Sequence, residues 1–530
     1  MGELSHRPLL LVSIPSVYSP VTPCVIPVTV KEDLVRRSLP LLLAALMALV
    51  LAPPAQAAPG FAVAYETIPG QGGTPLKAFV VTPTGRGSGP FPLLVLPSSW
   101  GVGNIEYVGA AAKLAYESGY SVISYTSRGF YDSAGEIDVA GPDTVADVSR
   151  VIDWGLARAN GDPGRIGVGG ISYGAGQSLL AAAADPRIKA VTALSTWTDL
   201  ARSLYPNETV SAQAVELLLT AGKLTGRPGP VLREAETAYR EDRFTDVLPI
   251  SPPRSPASKV SSIKAAVMIG NAWNDGLFPP GQITDFFGAL GSPKRLMLSP
   301  GDHATAELFG AAGLPNEIWT SVGRWFDHHL KGVDNGIDRE HPVQVKPNNG
   351  GGWRSFPSWA AATTRTDTVP LTADRIGAGR ATIAESGTVL VSGALQGFLS
   401  IPVGVATPLI DRGSAAVWHG PVQWTATTVS GTPRAHLTVT PSAAKTTLYA
   451  YLYEVNPLGL GALVTHKPVT LTGTGTRAVD LDLEPVVWNV SPGNRLVLVV
   501  DTVDGRYKGS SALGSSVTFG ADSWLTVPRG

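Results

Sequence analysis

The spacing of apolar positions changes along the chain, and each spacing predicts a different kind of structure. From Phe61 to about Lys346, short apolar runs alternate with longer amphipathic segments. The runs have the length and composition of buried parallel strands, and they are FPLLVLP at 91–97, YSVISYT at 120–126, RIGVGG at 165–170, IKAVTALS at 188–195, KAAVMIG at 264–270 and KRLMLSP at 294–300. Helical patterns lie between them, over 104–118, 143–159 and 173–184. This alternation predicts a parallel sheet with helices on both faces.

The alternation stops between Thr198 and Ser262. This segment is rich in Ala, Leu, Glu and Arg, and it becomes proline-rich in LPISPPRSPASK. We predict a helical insertion at 199–262, which in an enzyme would form a cap over the substrate pocket. The alternative is a surface excursion that has no role in a site.

A third pattern begins beyond WRSFPSW at 353–359, where Thr, Val, Gly and Ser dominate. Runs such as RAHLTVTP, TTLYAYLYEV and NRLVLVVDTV alternate polar and apolar positions, which predicts an antiparallel β-sandwich. We therefore expect a catalytic α/β domain at 58–350 and a sandwich domain at 351–530. Trp418 and Trp424 look exposed and raise the possibility of carbohydrate binding, but the simpler interpretation is a sandwich that packs against the catalytic domain and walls its pocket.

The N-terminus has the features of a secretory signal peptide. Arg36 and Arg37 precede the apolar run SLPLLLAALMALVLA, and Ala55-Gln56-Ala57 then supplies an A-x-A cleavage site. We expect residues 1–57 to be an extension and signal peptide cleaved near Ala57, which makes the protein secreted and extracellular; the alternative is a membrane anchor. Cys24 is the only cysteine and precedes the cleavage point, so the mature chain would have no thiol.

Composition narrows the function classes. The 530 residues carry a formal net charge of −1 with no long basic block, which argues against a nucleic-acid partner. The eight histidines are scattered and form no H-E-x-x-H pattern, so neither a metal nor another cofactor is expected. No further segment is apolar enough for a membrane span after signal cleavage.

Gly170-Ile171-Ser172-Tyr173-Gly174 matches the G-x-S-x-G pattern between a predicted strand and a predicted helix. Such a strand-to-helix turn needs small residues beside the serine and leaves its hydroxyl exposed above the sheet. A serine hydroxyl is a weak nucleophile that requires a base and an orienting acid. The pattern therefore predicts Ser172 as a nucleophile if partners follow later in the chain.

The partners should be an acid and then a histidine, each after a later strand. Asp275 follows KAAVMIG and His303 follows KRLMLSP, which fits that order. Asp275 could instead be a turn or capping residue, and Asp302 is adjacent to His303, so its side chain should point elsewhere. His328 and His329 lie in the helical pattern EIWTSVGRWFDHHLKG and more plausibly flank its core face.

The oxyanion of an acyl-transfer intermediate needs two donors. The backbone N–H of Tyr173 follows the nucleophile and supplies one by position. The second should come from the loop SSWGVG at 98–103, although Ser, Trp and Gly there could merely shape a turn.

Several motifs together resemble the CocE/NonD hydrolases, relatives of cocaine esterase and X-prolyl dipeptidyl peptidases. They are SRGFYDSAGE, DVSRVIDW, GGISYGAGQ, GNAWNDGLFPP, SPGDH and RWFDHHLKGVDNGI. The resemblance implies an α/β-hydrolase fold with a helical cap and a C-terminal jelly-roll sandwich.

The resemblance also implies roles for single residues. Ser172 would be the nucleophile, Asp275 the orienting acid, His303 the general base and Tyr173 the backbone oxyanion donor. Trp100 stands where members place a tyrosine whose hydroxyl is the second donor, so its indole N–H could take that part. SPGDH also departs from the G-P-W-x-H that members often carry, and losing that tryptophan would open the pocket.

The leading hypothesis is a secreted serine hydrolase that cleaves acyl esters, with a small ester or a short peptide as substrate. The alternative is an X-Pro dipeptidyl peptidase, which needs acidic groups for the substrate ammonium; Glu208, Glu234 and Glu236 are candidates that nothing singles out. A non-catalytic binding protein on the same fold is the third possibility.

Overall fold

The apolar runs of the first half form one ten-stranded sheet in the computed structural model, which describes residues 60–530. Its strand order is β1-β2-β4-β3-β5-β6-β7-β8-β9-β10, parallel from β4 to β9 and antiparallel at both ends. The strands are β1 Phe61–Pro69, β2 Pro75–Pro83, β3 Phe91–Pro97, β4 Ser121–Tyr125, β5 Gly161–Ile171, β6 Ile188–Leu194, β7 Ala266–Ala272, β8 Lys294–Ser299, β9 Val343–Val345 and β10 Arg354–Phe356.

Helices cover both faces of this sheet, as its apolar strands require. The helices of this half of the chain, including those of the insertion between β6 and β7, are α1 Val108–Ser118, α2 Pro142–Arg158, α3 Tyr173–Ala184, α4 Leu200–Leu204, α5 Ala212–Thr225, α6 Pro230–Arg240, α7 Pro280–Ala289, α8 Leu308–Ala311 and α9 Glu317–Lys331. One core joins the sheet to α2, α3 and α7, and a second core on the other face joins it to α1 and α9.

The structure confirms the central strands and the three helices, and it differs at the sheet edge. Strand β5 starts at Gly161, before the predicted run, because Gly161 and Asp162 pair with β3 ahead of an irregularity in the register. The hairpin β1–β2 was not predicted. Residues 62–65 of β1 are exposed at the edge, so the strand lacks the continuous apolar run of its buried neighbours.

The segment between β6 and β7 is helical and contains α4, α5, α6 and several 3₁₀ turns. Its apolar residues Val215, Leu219 and Leu232 share a core with Tyr173 at the start of α3 and with Phe278 after β7. The insertion therefore covers the carboxyl ends of the central strands.

The second half forms two antiparallel sheets of eight and five strands around one apolar core. Besides the helix α10 Val391–Leu399, its strands are β11 Arg365–Leu371, β12 Asp374–Gly377, β13 Gly404–Ala406, β14 Ala416–Val422, β15 Thr427–Gly431, β16 Arg434–Pro441, β17 Lys445–Val455, β18 Leu460–Thr472, β19 Arg477–Asp482, β20 Val486–Val490, β21 Arg495–Asp501, β22 Ser516–Phe519 and β23 Ser523–Arg529.

The expected exposure of Trp418 is wrong. Its side chain is 6% exposed, packs edge-on against Phe519, and donates its indole N–H to the Thr372 carbonyl at 2.9 Å. Trp424 is 82% exposed. Residue 418 therefore belongs to the sandwich core, because it points inward on β14.

The predicted signal peptide, its cleavage site near Ala57 and Cys24 lie outside the residues that the structure describes. Within residues 60–530, the helices are too short or too polar to span a bilayer.

Candidate active site

Ser172 lies in a strained turn between β5 and α3. Its φ is +55° and its ψ is −117°, and its backbone N–H donates to the Leu194 carbonyl on the neighbouring strand at 2.8 Å. Gly174 is required because a Cβ at this position would overlap the Pro97 carbonyl oxygen at the end of β3. The turn therefore presses the start of α3 against β3 and presents the serine hydroxyl above the sheet.

The structure brings the three predicted side chains together. His303 Nε2 lies 2.8 Å from Ser172 Oγ, and His303 Nδ1 lies 3.0 Å from Asp275 Oδ2 and 3.2 Å from Oδ1. Asp275 follows β7 and His303 follows β8, and these neighbouring parallel strands end at the same edge of the sheet. All three residues are buried, which strengthens their electrostatic contacts.

The carboxylate of Asp275 stabilises the turn that follows β7 and also contacts the imidazole of His303. Its Oδ1 accepts the backbone N–H groups of Leu277 at 3.0 Å and Phe278 at 2.7 Å. The two interpretations of Asp275 are therefore compatible, since these bonds hold the carboxylate in the orientation that meets His303.

Asp302 points away from the imidazole nitrogens, as predicted. Its Oδ1 accepts the backbone N–H groups of Gly276 at 2.7 Å and His303 at 2.8 Å. His328 and His329 lie on α9, where the ring of His329 packs against Trp325 and burial lowers its pKa to about 4.

The environment of His303 favours its protonated form. Burial by itself would lower the pKa of His303, but the charge and hydrogen bond of Asp275 outweigh burial and hold that pKa above its ordinary value. An imidazole in this setting can accept a proton from Ser172 because the neighbouring carboxylate stabilises the cation that forms.

The second oxyanion donor cannot be the indole of Trp100. Its N–H donates to the Leu218 carbonyl of α5 at 2.9 Å, so the side chain anchors the helical insertion. The backbone N–H groups of Trp100 and Tyr173 have no protein acceptor within the described part of the chain. Trp100 lies in the loop after β3 and Tyr173 begins α3, and both residues line the same pocket as Ser172.

Residues that the sequence analysis did not single out hold the β3 loop in place. Ser99 Oγ donates to the Ile171 carbonyl at 3.0 Å, and the Ser99 N–H donates to Glu106 Oε1 at 2.6 Å. Tyr107 accepts the Ile171 N–H on its hydroxyl at 2.7 Å. A buried carboxylate that accepts a loop N–H leaves no motif, so only the structure could reveal Glu106.

Glu307 is a second buried carboxyl that the sequence did not indicate. Both of its oxygens lie 3.2 Å from Ser195 Oγ, which accepts the Ala304 N–H at 2.9 Å. Burial, together with the charge of Asp275, raises the pKa of Glu307 to about 8 despite the nearby His303. The group lies beneath the His303 loop.

A pocket opens from Ser172 beneath the helical insertion. Its walls carry no charged side chain, and they are formed by Trp100, Val139, Tyr173, Trp197, Leu200, Ala201, Leu204, Val215, Leu218, Leu219, Leu232, Ala235, Phe244, Val247, Leu248, Ile250, Ser251 and Phe278. Glu208, Glu234 and Glu236 do not line it; Glu236 pairs with Lys223 at 2.9 Å, and the other two are exposed.

Among residues 60–530, no three His, Cys, Asp or Glu side chains are grouped closely enough to hold a metal ion.

Two family models match the chain. One is described as X-Pro dipeptidyl-peptidase (S15 family) and covers residues 72–305; the other is the X-Pro dipeptidyl-peptidase C-terminal non-catalytic domain and covers residues 335–510. The chain therefore resembles the S15 family in its first half and the associated C-terminal domain in its second half. The resemblance to CocE/NonD hydrolases and X-prolyl dipeptidyl peptidases is thereby confirmed.

Curated relatives are distant and longer. Candidate Xaa-Pro dipeptidyl-peptidases of Bacillus anthracis and Bacillus cereus are 24% and 23% identical over 363 and 364 residues, 63% of this chain in both cases. The alignments cover 59% and 61% of those proteins, so this chain spans about six tenths of the length of the curated relatives it matches.

Solved structures share the fold of this chain over both of its halves. An α-amino acid ester hydrolase is 15% identical with a TM-score of 0.69, covering 91% of this chain and 99% of that one. An aminopeptidase from a marine sediment Thaumarchaeota archaeon is 12% identical with a TM-score of 0.72, covering 90% and 98%. A CocE/NonD family hydrolase from Staphylococcus aureus is 14% identical with a TM-score of 0.65, covering 88% and 93%. The predicted α/β-hydrolase fold with a helical insertion and a C-terminal sandwich is confirmed.

Proposed function

We propose that this protein is a serine hydrolase that cleaves carboxylic esters with an apolar acyl group through an acyl-enzyme on Ser172. One observation carries the proposal: the hydrogen-bonded chain from Ser172 through His303 to Asp275 opens onto a pocket whose walls are apolar. A serine hydrolase needs that chain for attack, and an acyl chain needs those walls for binding.

The proposed reaction follows from the positions of the atoms. Ser172 Oγ attacks the ester carbonyl carbon while His303 Nε2 takes the hydroxyl proton, and Asp275 stabilises the imidazolium at Nδ1. The backbone N–H groups of Tyr173 and Trp100 would donate to the oxyanion. His303 then gives the proton to the leaving alkoxide and activates the water that releases the carboxylic acid.

The apolar walls favour an ester over an X-Pro peptide. The ammonium of an N-terminal dipeptide would lose its hydration in this pocket, and no carboxylate lines the walls to replace it. An acyl chain gains about 0.8 kcal/mol for each methylene it buries. X-Pro dipeptidyl-peptidase activity is the second candidate, supported by the matching family model and by the names of the curated relatives.

Labelling with a fluorophosphonate tests the nucleophile. We expect the wild-type protein to be labelled and Ser172→Ala to be unlabelled, since phosphonylation requires an activated serine. Ser178→Ala is the matched control, because this buried serine on α3 donates only to the Gly174 carbonyl of its own helix. Labelling that survives Ser172→Ala would contradict the proposal.

A substrate series tests the acyl group. With p-nitrophenyl esters from acetate to octanoate, we expect kcat/KM to rise about fourfold per methylene until the pocket is filled. Ala-Pro-p-nitroanilide should be cleaved far more slowly than the best ester. The reverse order would assign the protein to X-Pro dipeptide release.

We also propose export of the enzyme, with cleavage near Ala57. The support is the N-terminal pattern of an arginine pair, an apolar run and an A-x-A site.

A further inference from the structure

Asp302 takes no part in the proposed proton transfers, yet it joins the two loops that carry them. Its Oδ1 accepts the N–H of Gly276, the residue after Asp275, and the N–H of His303 itself. The side chain is buried, and Asp302 is 2% exposed. A single carboxylate oxygen therefore sets the spacing between the acid loop and the base loop.

The C-terminal half of the chain packs directly on this junction. A Cβ on Gly393 of helix α10 would lie 2.7 Å from Asp302 Cβ, and a Cβ on Gly397 would lie 2.8 Å from the Gly301 Cα. The two glycines are one helical turn apart, so one face of α10 is smooth where it meets the base loop. Larger side chains there would displace Asp302.

Arg506, from the loop after β21, brings a positive charge to the same place. It lines a cavity together with Asp275 and Asp302, and the residue is 7% exposed. Within the described residues, its guanidinium forms no ion pair within 4.0 Å, and its Nε is buried without a hydrogen-bond partner. Its charge is therefore available to the carboxylates that share the cavity.

The charged groups around Asp302 act in opposite directions. Burial and the charge of Asp275 raise the pKa of Asp302 to about 6, although Arg506 acts to lower it. His303 lies on the same loop, and the charge of Asp302 contributes to holding the pKa of His303 above its ordinary value. His466 and Glu484 also line the cavity, and Glu484 is paired with Lys467.

We propose that Asp302 is a positioning residue that aligns Asp275 with His303, and that Arg506 of the C-terminal sandwich keeps Asp302 ionised for this task. The sandwich is then part of the catalytic machinery rather than a separate support. This inference rests on the proposed Ser172, His303 and Asp275 mechanism.

The test measures kcat/KM against pH with p-nitrophenyl butyrate. Asp302→Asn keeps an acceptor oxygen and removes the charge, so the acid limb should move down by about 0.5–1 pH units while the plateau stays within about fivefold of wild type. Arg506→Met should also move the limb down, by up to about 0.5–1 pH units, because Asp302 then binds a proton and its negative charge is lost from beside His303. Asp302→Ala loses the acceptor, and kcat/KM should fall about 100-fold.

Two controls separate this role from a loss of folding. Arg506→Lys restores the charge and should restore the wild-type limb. Arg529→Met removes another buried arginine of the sandwich, one that is paired with Asp367, and should leave the limb where it is. In the double variant Asp302→Asn with Arg506→Met, the Arg506 effect should largely disappear, since it acts through Asp302.

An acid limb that stays in place in both Asp302→Asn and Arg506→Met would overturn the inference. An acid limb that moves up in Arg506→Met would also overturn it, because the lost positive charge would then act on His303 directly and not through Asp302. If Asp302→Ala fails to fold, the acid limbs of Asp302→Asn and Arg506→Met still test the inference. Failure of the proposed function is a separate result, because it appears as activity retained in Ser172→Ala whatever the Asp302 variants do.

Discussion

The two hydrogen-bond donors of Trp100 have separate tasks. The indole N–H binds the Leu218 carbonyl and ties the β3 loop to the helical insertion, while the backbone N–H is left for the proposed oxyanion. The side chain also contacts Phe130 and Tyr173 edge-on, with ring centroids 5.0 and 5.1 Å apart. Family members that place a tyrosine hydroxyl here would use the side chain instead, so this chain differs in which atom it offers.

Trp100→Phe tests this division. Because the backbone donor is unchanged, kcat should stay within about fivefold of wild type, whereas losing a true oxyanion donor costs about 100- to 1000-fold. The free energy of unfolding should fall by about 1 kcal/mol, since the Leu218 carbonyl loses its donor. Measurements of kcat and urea unfolding check both, and Trp418→Phe, which removes an indole bond to the Thr372 carbonyl in the sandwich, is the control.

At the scale of elements, the site depends on how closely α3 approaches β3. Gly170 and Gly174 flank Ser172, and a Cβ on either would press on the Pro97 carbonyl. This contact holds the start of α3, with its Tyr173 N–H, beside the loop that carries Trp100. The glycines of the motif are therefore needed for packing between two elements as well as for the turn.

Gly174→Ala should push α3 away from β3. We expect kcat to fall about 100-fold, because the proposed oxyanion donors separate. Gly323→Ala on α9 is the matched control: a Cβ there has open space, and alanine should stabilise the helix by up to about 1 kcal/mol without changing kcat. Equal kcat in both variants would show that the approach of α3 does not matter for catalysis.

At the scale of the whole molecule, buried carboxyls make stability depend on pH. Burial raises the pKa of Glu307 to about 8 and that of Glu106 to about 7. Between the ordinary pKa of a glutamate and these raised values, the folded protein binds more protons than the unfolded chain. Stability contributed by these groups is therefore present at low pH and is lost as the pH rises through that window.

Glu307→Gln should remove part of this loss. Glutamine resembles the neutral carboxyl, so relative to wild type the variant should gain about 2–4 kcal/mol of unfolding free energy at about pH 9 compared with about pH 5. Urea unfolding at both pH values measures the difference. The exposed Glu234→Gln should show no such gain, and an equal response of the two variants would contradict the prediction.

The sequence predicted the parts of the site that depend on short segments. The central strands, the helix at 173–184 and the positions of Ser172, Asp275 and His303 after their strands could all be predicted, because apolar runs and strand-end residues are local signals. Trp418 was misjudged because the face of a strand that turns inward depends on its partner sheet. Ser99, Glu106 and Asp302 bond to backbone groups, which every residue type carries, so these contacts leave no pattern in the sequence.

The fold class, the chain order of Ser172, Asp275 and His303 and the turn at Ser172 can all be derived from the sequence. The alternation of strand and helix patterns specifies a parallel sheet, and the carboxyl ends of its strands converge at one edge. Three features are visible only in the folded protein. Among the described residues, the indole N–H of Trp100 is bound while its backbone N–H has no acceptor, the pocket is apolar, and the sandwich reaches the His303 loop through Gly393 and Arg506. These features arise from contacts between residues far apart in the chain, and such contacts are selected by shape and charge rather than by spacing.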